Sequence, residues 1–151
     1  MSQSDVDVVL QVLGTVETRN IGRLAQLYHP GIEFHWQPGL PYGGAFHGPA
    51  AVAGMTARFA RVWGPLQPDA ECQRLHPQVL ATDGMGRVIV QYLWQAVDQN
   101  GNRFQTDTLA DYTVRDKKLA RAKMYYFDLE GMLSFLRSAG SVLGVSDTRR
   151  E

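Results

Sequence analysis

Alternation of apolar and polar residues dominates the second half of the chain and predicts a long β-sheet. Four alternating segments lie near residues 69–81, 86–98, 102–115 and 117–127. Because successive side chains of a strand point to opposite faces, this pattern is typical of a sheet with one buried and one wetted surface. The segments are separated by the turn sequences Asp83-Gly84, Asn100-Gly101 and Asp116-Lys117.

Helical spacing of apolar residues predicts three helices before this sheet. The first is expected to start at a Ser4 cap and to carry an apolar stripe as far as Val16. Asn20 is expected to cap a shorter second helix, which includes Tyr28 and ends before Pro30. Pro49 suits the first turn of the third helix, since its missing amide is not needed there.

Shorter elements complete the prediction. Residues 32–36 alternate as a first short strand, and the glycine-rich loop 38–48 is expected to fold over the interior as a lid. Asp128 is expected to cap a short final helix. Residues 1–138 therefore predict a single α+β domain, and residues 139–151 a flexible tail. A curved sheet wrapped around the preceding helices makes a cup, and a cup can hold a small molecule.

Charge and cysteine content narrow the classes of function. The 151 residues contain fifteen basic and fifteen acidic side chains, so the formal net charge is zero. No broad basic field is available for nucleic acid or an anionic membrane, and low charge leaves a homodimer as the expected assembly. Cys72 is the only cysteine, so a disulfide within the chain is excluded. The start of the sequence lacks the pattern of a signal peptide, and we expect a cytoplasmic location.

By the alternation, the residues that face the inside of the cup are of two kinds: aromatic residues with polar tips, and residues with small or flexible side chains. Such a surface can grip an apolar ring and orient it through one or two hydrogen bonds. The alternative is that these residues simply form the core. The inward set comprises Trp36, Val88, Val90, Tyr92, Trp94, Ala96, Thr108, Ala110, Tyr112, Met124 and Tyr126, faced by Met55 and Phe59 of the third helix.

Candidate acid and base residues lie on the same strands. Tyr92, Tyr112 and Tyr126 are the candidate proton donors. Asp107 and Asp111 share one strand face and could form an acid–base pair if that face were the pocket. In the preferred register the two aspartates point outward instead and pair with Arg103, Arg121 or Lys123. A bulge in the strand would reverse this, because one inserted residue moves the following side chains to the opposite face of the sheet.

Four histidines prompt a search for a metal site. His29, His35, His47 and His76 follow no zinc-ligand spacing, so we expect surface or loop histidines and no metal. His35 is kept as a candidate general base because the unperturbed pKa of histidine lies near neutrality. The loop glycines match neither a phosphate-binding nor a dinucleotide-binding motif, and no cofactor is predicted.

Three stretches resemble the nuclear transport factor 2-like superfamily, in its polyketide-cyclase-like (SnoaL-like) branch. They are YHPGIEFHW at 28–36, FHGPAAV at 46–52, and YTVRDKKL at 112–119 continuing to YYFD at 125–128. The resemblance covers residues 4–137 and implies a cone-shaped, mixed but mostly antiparallel sheet wrapped around three N-terminal helices, with a short C-terminal helix. It also implies a conical pocket.

The catalytic residues of the relatives in this branch do not transfer intact to this sequence. The ketosteroid isomerases use a carboxylate base and a protonated aspartate. Alignment puts Trp36 at the base position, or His35 if the register shifts by one, and Ala110 at the oxyanion position beside Asp111. The aspartate of the limonene-epoxide hydrolases falls on Tyr125.

Two functions follow. The first is a cofactor-independent, ketosteroid-isomerase-like or polyketide-cyclase-like isomerase, lyase or hydrolase that moves a proton on a hydrophobic substrate. Its candidate catalytic residues are His35, Asp107, Asp111, Tyr92, Tyr112 and Tyr126. The alternative is a ligand-binding or dimerisation module without chemistry. In either case the expected ligand contacts are Trp36, Tyr42, Met55, Phe59, Trp94, Thr108 and Met124.

Overall fold

A six-stranded mixed sheet forms the wall of the fold, in a computed structural model that describes the backbone of residues 2–140 and the side chains of residues 5–140. The strands are β1 (Tyr28–Trp36), β2 (Gly44–His47), β3 (Gln78–Thr82), β4 (Arg87–Val97), β5 (Arg103–Arg115) and β6 (Lys118–Tyr126). Their order across the sheet is β2-β1-β6-β5-β4-β3. Strands β1 and β6 run parallel and all other neighbours are antiparallel.

Within residues 2–140, five helices complete the α+β architecture that the sequence predicted. They are α1 (Ser2–Glu17), α2 (Ile21–Gln26), α3 (Pro49–Trp63), α4 (Ala70–Gln73) and α5 (Leu129–Ala139), with a 3-10 turn at Gly64–Leu66. Helix α1 contacts β4, β5 and β6, whereas α3 contacts β1 and β2. The two long helices thus lie along the inner face of the sheet. Of the predicted tail, residues 141–151 lie outside the described part of the chain.

The predicted alternation is confirmed on all three long strands. Every residue of β4 from Val88 to Ala96 that the pattern turns inward is buried, and its neighbours are half-buried. On β5 the inward residues from Thr106 to Val114 are likewise buried; of the residues between them, Asp107 is exposed and the others are half-buried. A bulge follows Thr113 and shifts the register against β6. The inner face of the sheet is therefore the core face, as the period of two requires.

Local signals set the predicted helix ends. The Asn20 side chain accepts a hydrogen bond from the Arg23 amide and so caps α2. Pro49 occupies the first turn of α3, and Asp128 accepts from the Gly131 amide at 2.9 Å at the start of α5. The Ser4 cap is wrong, because α1 already includes Ser2 and so has Ser4 within it.

The predicted first long strand, residues 69–81, is wrong in its first half. Asp69 accepts a hydrogen bond from the Cys72 amide and starts the four-residue helix α4. Only Gln78–Thr82 forms a strand, an exposed edge of the sheet. The chain between them is anchored because the Leu75 amide donates to the Glu17 carboxylate at 2.8 Å. A helix this short leaves no periodic pattern to read.

Two boundaries near the first strand are also corrected. Tyr28 belongs to β1 and not to the second helix, which ends at Gln26. The loop 38–48 contains a strand, β2, that pairs antiparallel with β1. Within this loop Leu40 and Tyr42 are buried. The segment is therefore a packed part of the fold and not a lid.

No helix in the described residues is long and apolar enough to cross a membrane.

Gly86 provides a test of how the end of the sheet is built. Its φ is +107°, and a Cβ placed there would lie 2.6 Å from the Val114 carbonyl oxygen. We expect Gly86→Ala to lower the free energy of unfolding by about 1–3 kcal/mol, because a side chain is strained in this backbone conformation. Urea unfolding measures the change.

The matched control is Gly14→Ala. Gly14 lies within α1, and nothing surrounds its Cβ position within 4 Å. Here we expect a gain of about 0.5–1 kcal/mol from the higher helix propensity of alanine. Equal effects of the two substitutions would contradict the close approach at Gly86.

Candidate functional site

A cavity of about 150 Å³ lies between the helices and the inner face of the sheet. Helix α1 supplies Val12, Leu13 and Val16, and α3 supplies Met55 and Phe59. The sheet side of the cavity is formed by Phe34, Trp36, Tyr92, Trp94, Tyr112, Leu119 and Met124. An apolar cavity of roughly this volume can hold a single aromatic ring.

An outer groove of about 530 Å³ lies between α2 and α3. It shares five wall residues with the inner cavity: Ile21, Leu24, Tyr28, Thr56 and Ala60. Ile21 is 51% exposed, and Ala60 is also exposed. The groove therefore adjoins the cavity at the protein surface and extends the space that a larger molecule could occupy.

A cluster of packed aromatic rings forms one wall of the cavity and the solid core behind it. Trp36 lies at its centre, with its ring centroid 5.4 Å from that of Phe59, 5.6 Å from Tyr126 and 4.9 Å from Tyr42. Phe59 also contacts Trp94, and Trp94 contacts Trp63. Both interpretations of the inward aromatics therefore hold in part: some form solid core, and others line a hollow.

A buried hydrogen-bond chain connects three of these rings. The Trp63 indole N–H donates to the Tyr42 hydroxyl at 2.9 Å, and that hydroxyl lies 2.7 Å from the Tyr126 hydroxyl. Burial raises the pKa of Tyr42 and Tyr126 far above the usual value. Both phenols are therefore neutral at physiological pH. The chain satisfies polar atoms that would otherwise be costly to bury.

The tyrosines that line the cavity have no such partner. Within the described part of the chain, no hydrogen bond reaches the hydroxyls of Tyr28, Tyr92 or Tyr112. Burial raises the pKa of all three. The buried indole N–H of Trp94 is also without a partner among the described residues. The cavity wall thus carries several hydrogen-bond donors that are free to bind a ligand.

The two candidate aspartates lie on the outer face of the sheet. Asp107 is exposed, and Asp111 is bound by Arg87 through two hydrogen bonds of 2.9 and 2.7 Å. The alternative in which they face the pocket is therefore wrong. The outward register is confirmed, but the partner of Asp111 is Arg87 on β4 and not Arg103, Arg121 or Lys123.

His35 also lies on the outer face. It alternates with the buried Phe34 and Trp36, and its Nε2 lies 3.3 Å from the Glu33 carboxylate. This hydrogen bond is the main reason why the pKa of Glu33 is lowered. His35 therefore does not reach the cavity as a base. Among the side chains of residues 5–140, no carboxylate or imidazole lines it.

The remaining predicted site residues divide by position. Tyr42, Thr108 and Tyr126 are buried but do not line the cavity. The residues that do line it are Trp36, Met55, Phe59, Tyr92, Trp94, Tyr112 and Met124. Period-two alternation identified the inward face but could not separate core from cavity wall.

The histidines do not form a metal centre within the described residues. His29 pairs with Asp116 at 3.2 Å, and His76 lies 3.6 Å from Glu71. In the part of the chain that the structure describes, no three histidine, cysteine, aspartate or glutamate residues gather in a way that could hold a metal ion.

Several cavity residues were absent from the predicted site, and three of them carry a polar group that matters to it: Arg19, Tyr28 and Trp63. Tyr28 lies in β1 and not in the predicted second helix, and Trp63 is the last residue of α3. Arg19 also lines the cavity, and one of its guanidinium nitrogens, Nη2, is buried without a partner among the described residues. Helical spacing gave no signal for Arg19, because α1 ends at Glu17 and Arg19 follows it with a φ of +62°.

Comparison with known proteins places this architecture in a family. Residues 9–122 match the SnoaL-like domain. The chain belongs to the SnoaL-like domain family. No curated protein shows a significant sequence match to it.

Solved structures of this SnoaL-like fold extend over nearly the whole chain. TerC, co-crystallised with polyporic acid, superposes with a TM-score of 0.73 at 20% identity, covering 89% of this chain and 98% of TerC. An NTF2-like protein of Burkholderia xenovorans LB400 has a TM-score of 0.66 at 19% identity, covering 92% and 97%. A proposed polyketide cyclase of Xanthomonas campestris has a TM-score of 0.65 at 17% identity, covering 89% and 98%.

The resemblance stated from the sequence is thus confirmed at the level of superfamily and fold. SnoaL-like and polyketide-cyclase-like proteins are a family of small-molecule-binding isomerases and cyclases. Sequence identities this low establish the fold but not the specific activity, which must be argued from the residues of this SnoaL-like protein itself.

The hydrogen-bond chain generates a prediction about stability. Tyr42→Phe removes the central hydroxyl, so the Trp63 indole N–H and the Tyr126 hydroxyl both lose their partner. We expect a loss of about 2–4 kcal/mol in the free energy of unfolding, since each unsatisfied buried group costs about 1–3 kcal/mol. Guanidinium unfolding measures it.

Tyr126→Phe is the matched comparison. It removes one bond and leaves the Trp63–Tyr42 contact intact, so the expected loss is smaller, about 1–2 kcal/mol. A larger loss for Tyr126→Phe than for Tyr42→Phe would refute the central role of Tyr42.

Proposed function

We propose that this SnoaL-like protein binds a small apolar molecule with at least one aromatic or cyclic group in its interior cavity. The observation that carries the proposal is the composition of the wall: apolar side chains and aromatic rings surround about 150 Å³ of space. A ring in this cavity would replace lost contacts on every side, which is the main source of affinity in apolar sites.

The free donors support orientation of such a ligand. The hydroxyls of Tyr92 and Tyr112 and the indole N–H of Trp94 lie in the same wall. Because the phenols stay protonated when buried, they can donate to a ligand oxygen at neutral pH. A carbonyl or hydroxyl on the ring would pair with them.

The outer groove fits a ligand that exceeds one ring. A drug-sized molecule needs a site of roughly 300–1,000 Å³. The inner cavity alone is smaller than this range, whereas the adjoining groove of about 530 Å³ adds the required room. Because TerC was crystallised with polyporic acid, that compound is a natural first ligand to test.

Intrinsic fluorescence provides a direct binding assay. The chain contains three tryptophans, and Trp36, Trp63 and Trp94 all line the cavity. We expect polyporic acid or a panel of hydrophobic aromatic ketones to change this fluorescence saturably. Ala60→Phe should weaken binding at least tenfold, because Ala60 lies where cavity and groove meet.

Ala51→Phe is the matched control. Ala51 lies exposed on the same helix α3 and lines neither the cavity nor the groove. It should leave the affinity unchanged and, like Ala60→Phe, adds no indole to the signal. Saturable binding that is insensitive to Ala60→Phe would place the ligand elsewhere and reject the proposal.

A cofactor-independent catalyst is the second candidate function. The observation that favours it is the cluster of unpaired phenols, which could stabilise negative charge developing on a substrate oxygen. Since no carboxylate or imidazole of residues 5–140 lines the cavity, the proton would move between substrate groups or through water. Intramolecular isomerisation or cyclisation fits this pattern better than a reaction that needs a strong protein base.

Mass spectrometry of enolisable ketones and epoxides incubated with the protein tests for turnover. If product forms, Tyr92→Phe and Tyr112→Phe should each lower kcat by roughly 100-fold, because each removes one donor to the developing charge. Tyr125→Phe is the control, since Tyr125 is 44% exposed. Unchanged kcat in both cavity variants would refute the role of the phenols, and a lack of turnover would leave ligand binding as the function.

The predicted homodimer and cytoplasmic location remain proposals. Low net charge is compatible with self-association.

A further inference from the structure

Arg19 is the only charged residue in the wall of the cavity among the described side chains. One of its guanidinium nitrogens, Nη2, is buried and has no hydrogen-bond partner there. No carboxylate of the described residues lies within ion-pair distance of it. Burial lowers the pKa of Arg19, which reflects the unfavourable loss of water around a positive charge. A cation in this state requires an explanation.

Capping of helix α1 does not account for the arginine. Arg19 has a φ of +62°, at the position after a helix where glycine is most common. The backbone itself closes the helix there: the Arg19 amide donates to the Val16 carbonyl at 3.1 Å, and the Asn20 amide donates to the Thr15 carbonyl at 3.3 Å. The guanidinium adds one contact of 3.5 Å, from Nη1 to the same Val16 carbonyl.

Glu17, the acidic residue nearest to Arg19 in the sequence, forms no ion pair with it. Glu17 accepts a hydrogen bond from the Leu75 amide at 2.8 Å and anchors the segment before β3. The hydroxyls of Thr15 and Thr56, which also line the cavity, donate to carbonyls of their own helices at 2.8 and 2.9 Å. Among the described residues, the positive charge of Arg19 is therefore not balanced by the protein.

The remaining polar groups of the cavity wall are, like Arg19, hydrogen-bond donors without a negative charge. Trp94 presents an unpaired N–H, and Tyr92 and Tyr112 present phenols that burial keeps protonated. All of these groups can donate hydrogen bonds, and none of them is negatively charged. A ligand that matches this wall combines an apolar ring with an acceptor-rich group that carries negative charge.

We propose that the ligand of the cavity is an anionic aromatic or cyclic acid, whose carboxylate or ionised acidic hydroxyl is bound by Arg19 while its ring occupies the apolar interior. The inference rests on the proposed binding function and specifies its ligand class. The ring occupies the space beside Trp36, Phe59 and Met124, and the acid is held by the guanidinium of Arg19. A charged hydrogen bond of this kind separates the acid from a neutral analogue of the same shape.

The test compares benzoate with benzamide at pH 7, by tryptophan fluorescence and by isothermal titration calorimetry. The two probes have similar shape and differ in charge. We expect the wild-type protein to bind the acid roughly 10- to 100-fold more tightly than the amide. Arg19→Gln should remove this preference by weakening the acid alone, and Arg19→Lys should retain part of it, because lysine keeps the charge without the planar fork.

Arg61→Gln is the matched control, since Arg61 is exposed on α3 and lines no part of the cavity. It should leave both affinities unchanged. Arg19→Gly separates binding from folding: it relieves the left-handed backbone, so we expect its melting temperature without ligand to equal or exceed that of the wild type, whereas its preference for the acid is lost. A lower melting temperature would indicate a structural role and count against the inference.

The outcomes distinguish this inference from the proposed function. Equal binding of acid and amide by the wild type, or an acid preference that survives Arg19→Gln, overturns the anionic ligand class and leaves the binding function standing. Absence of binding by both probes, together with no response to the wider ligand panel, overturns the binding function and this inference with it.

Discussion

The structure depends on how the inward rings of a curved sheet are covered. Alternation along β1, β4, β5 and β6 forces large side chains onto one face, and a single layer of helices must fill the space above them. Trp36 fills one end of this space by packing with Tyr42, Phe59 and Tyr126. The other end of the space is not filled by side chains, so the interior is solid at one end and hollow at the other. The cavity exists because the helices cover more space than their side chains fill.

The chemistry of the hollow end differs sharply from that of the outer face. On the outer face several charged groups are paired, as in Arg87–Asp111 and Glu33–His35. Inside, among the described residues, there are donors without acceptors and one cation without an anion. A site of this kind can bind and polarise an oxygen but has no protein group of its own to remove a proton. Its natural complement is therefore a ligand that brings its own negative charge.

Much of the fold could be predicted because its long elements repeat one simple pattern many times. The strands that contain Tyr92, Tyr112 and Met124 each repeat the two-residue alternation several times. The starts of three helices are marked by capping or first-turn residues, namely Asn20, Pro49 and Asp128. Short elements lack such repetition. Helix α4 and strand β2 are four residues each, and contacts with distant parts of the chain decide their conformation.

The candidate site was less predictable for a different physical reason. Sequence period assigns Tyr126 and Tyr92 to the same face, yet the first closes a hydrogen-bond chain and the second faces empty space. That division depends on how side chains of several elements pack together, which no single segment encodes. Arg19 lines the cavity from a left-handed backbone position after the end of α1, which helical periodicity does not indicate.

The parallel pairing of β1 with β6 has a consequence for synthesis of the chain. The strand that follows the first two helices finds its central partner only in β6, which is synthesised after the other five strands of the described residues. Until then one side of β1 exposes unpaired backbone groups, and the core that it helps to form stays open. Truncated or paused chains should therefore be vulnerable to aggregation and dependent on chaperones for most of their elongation.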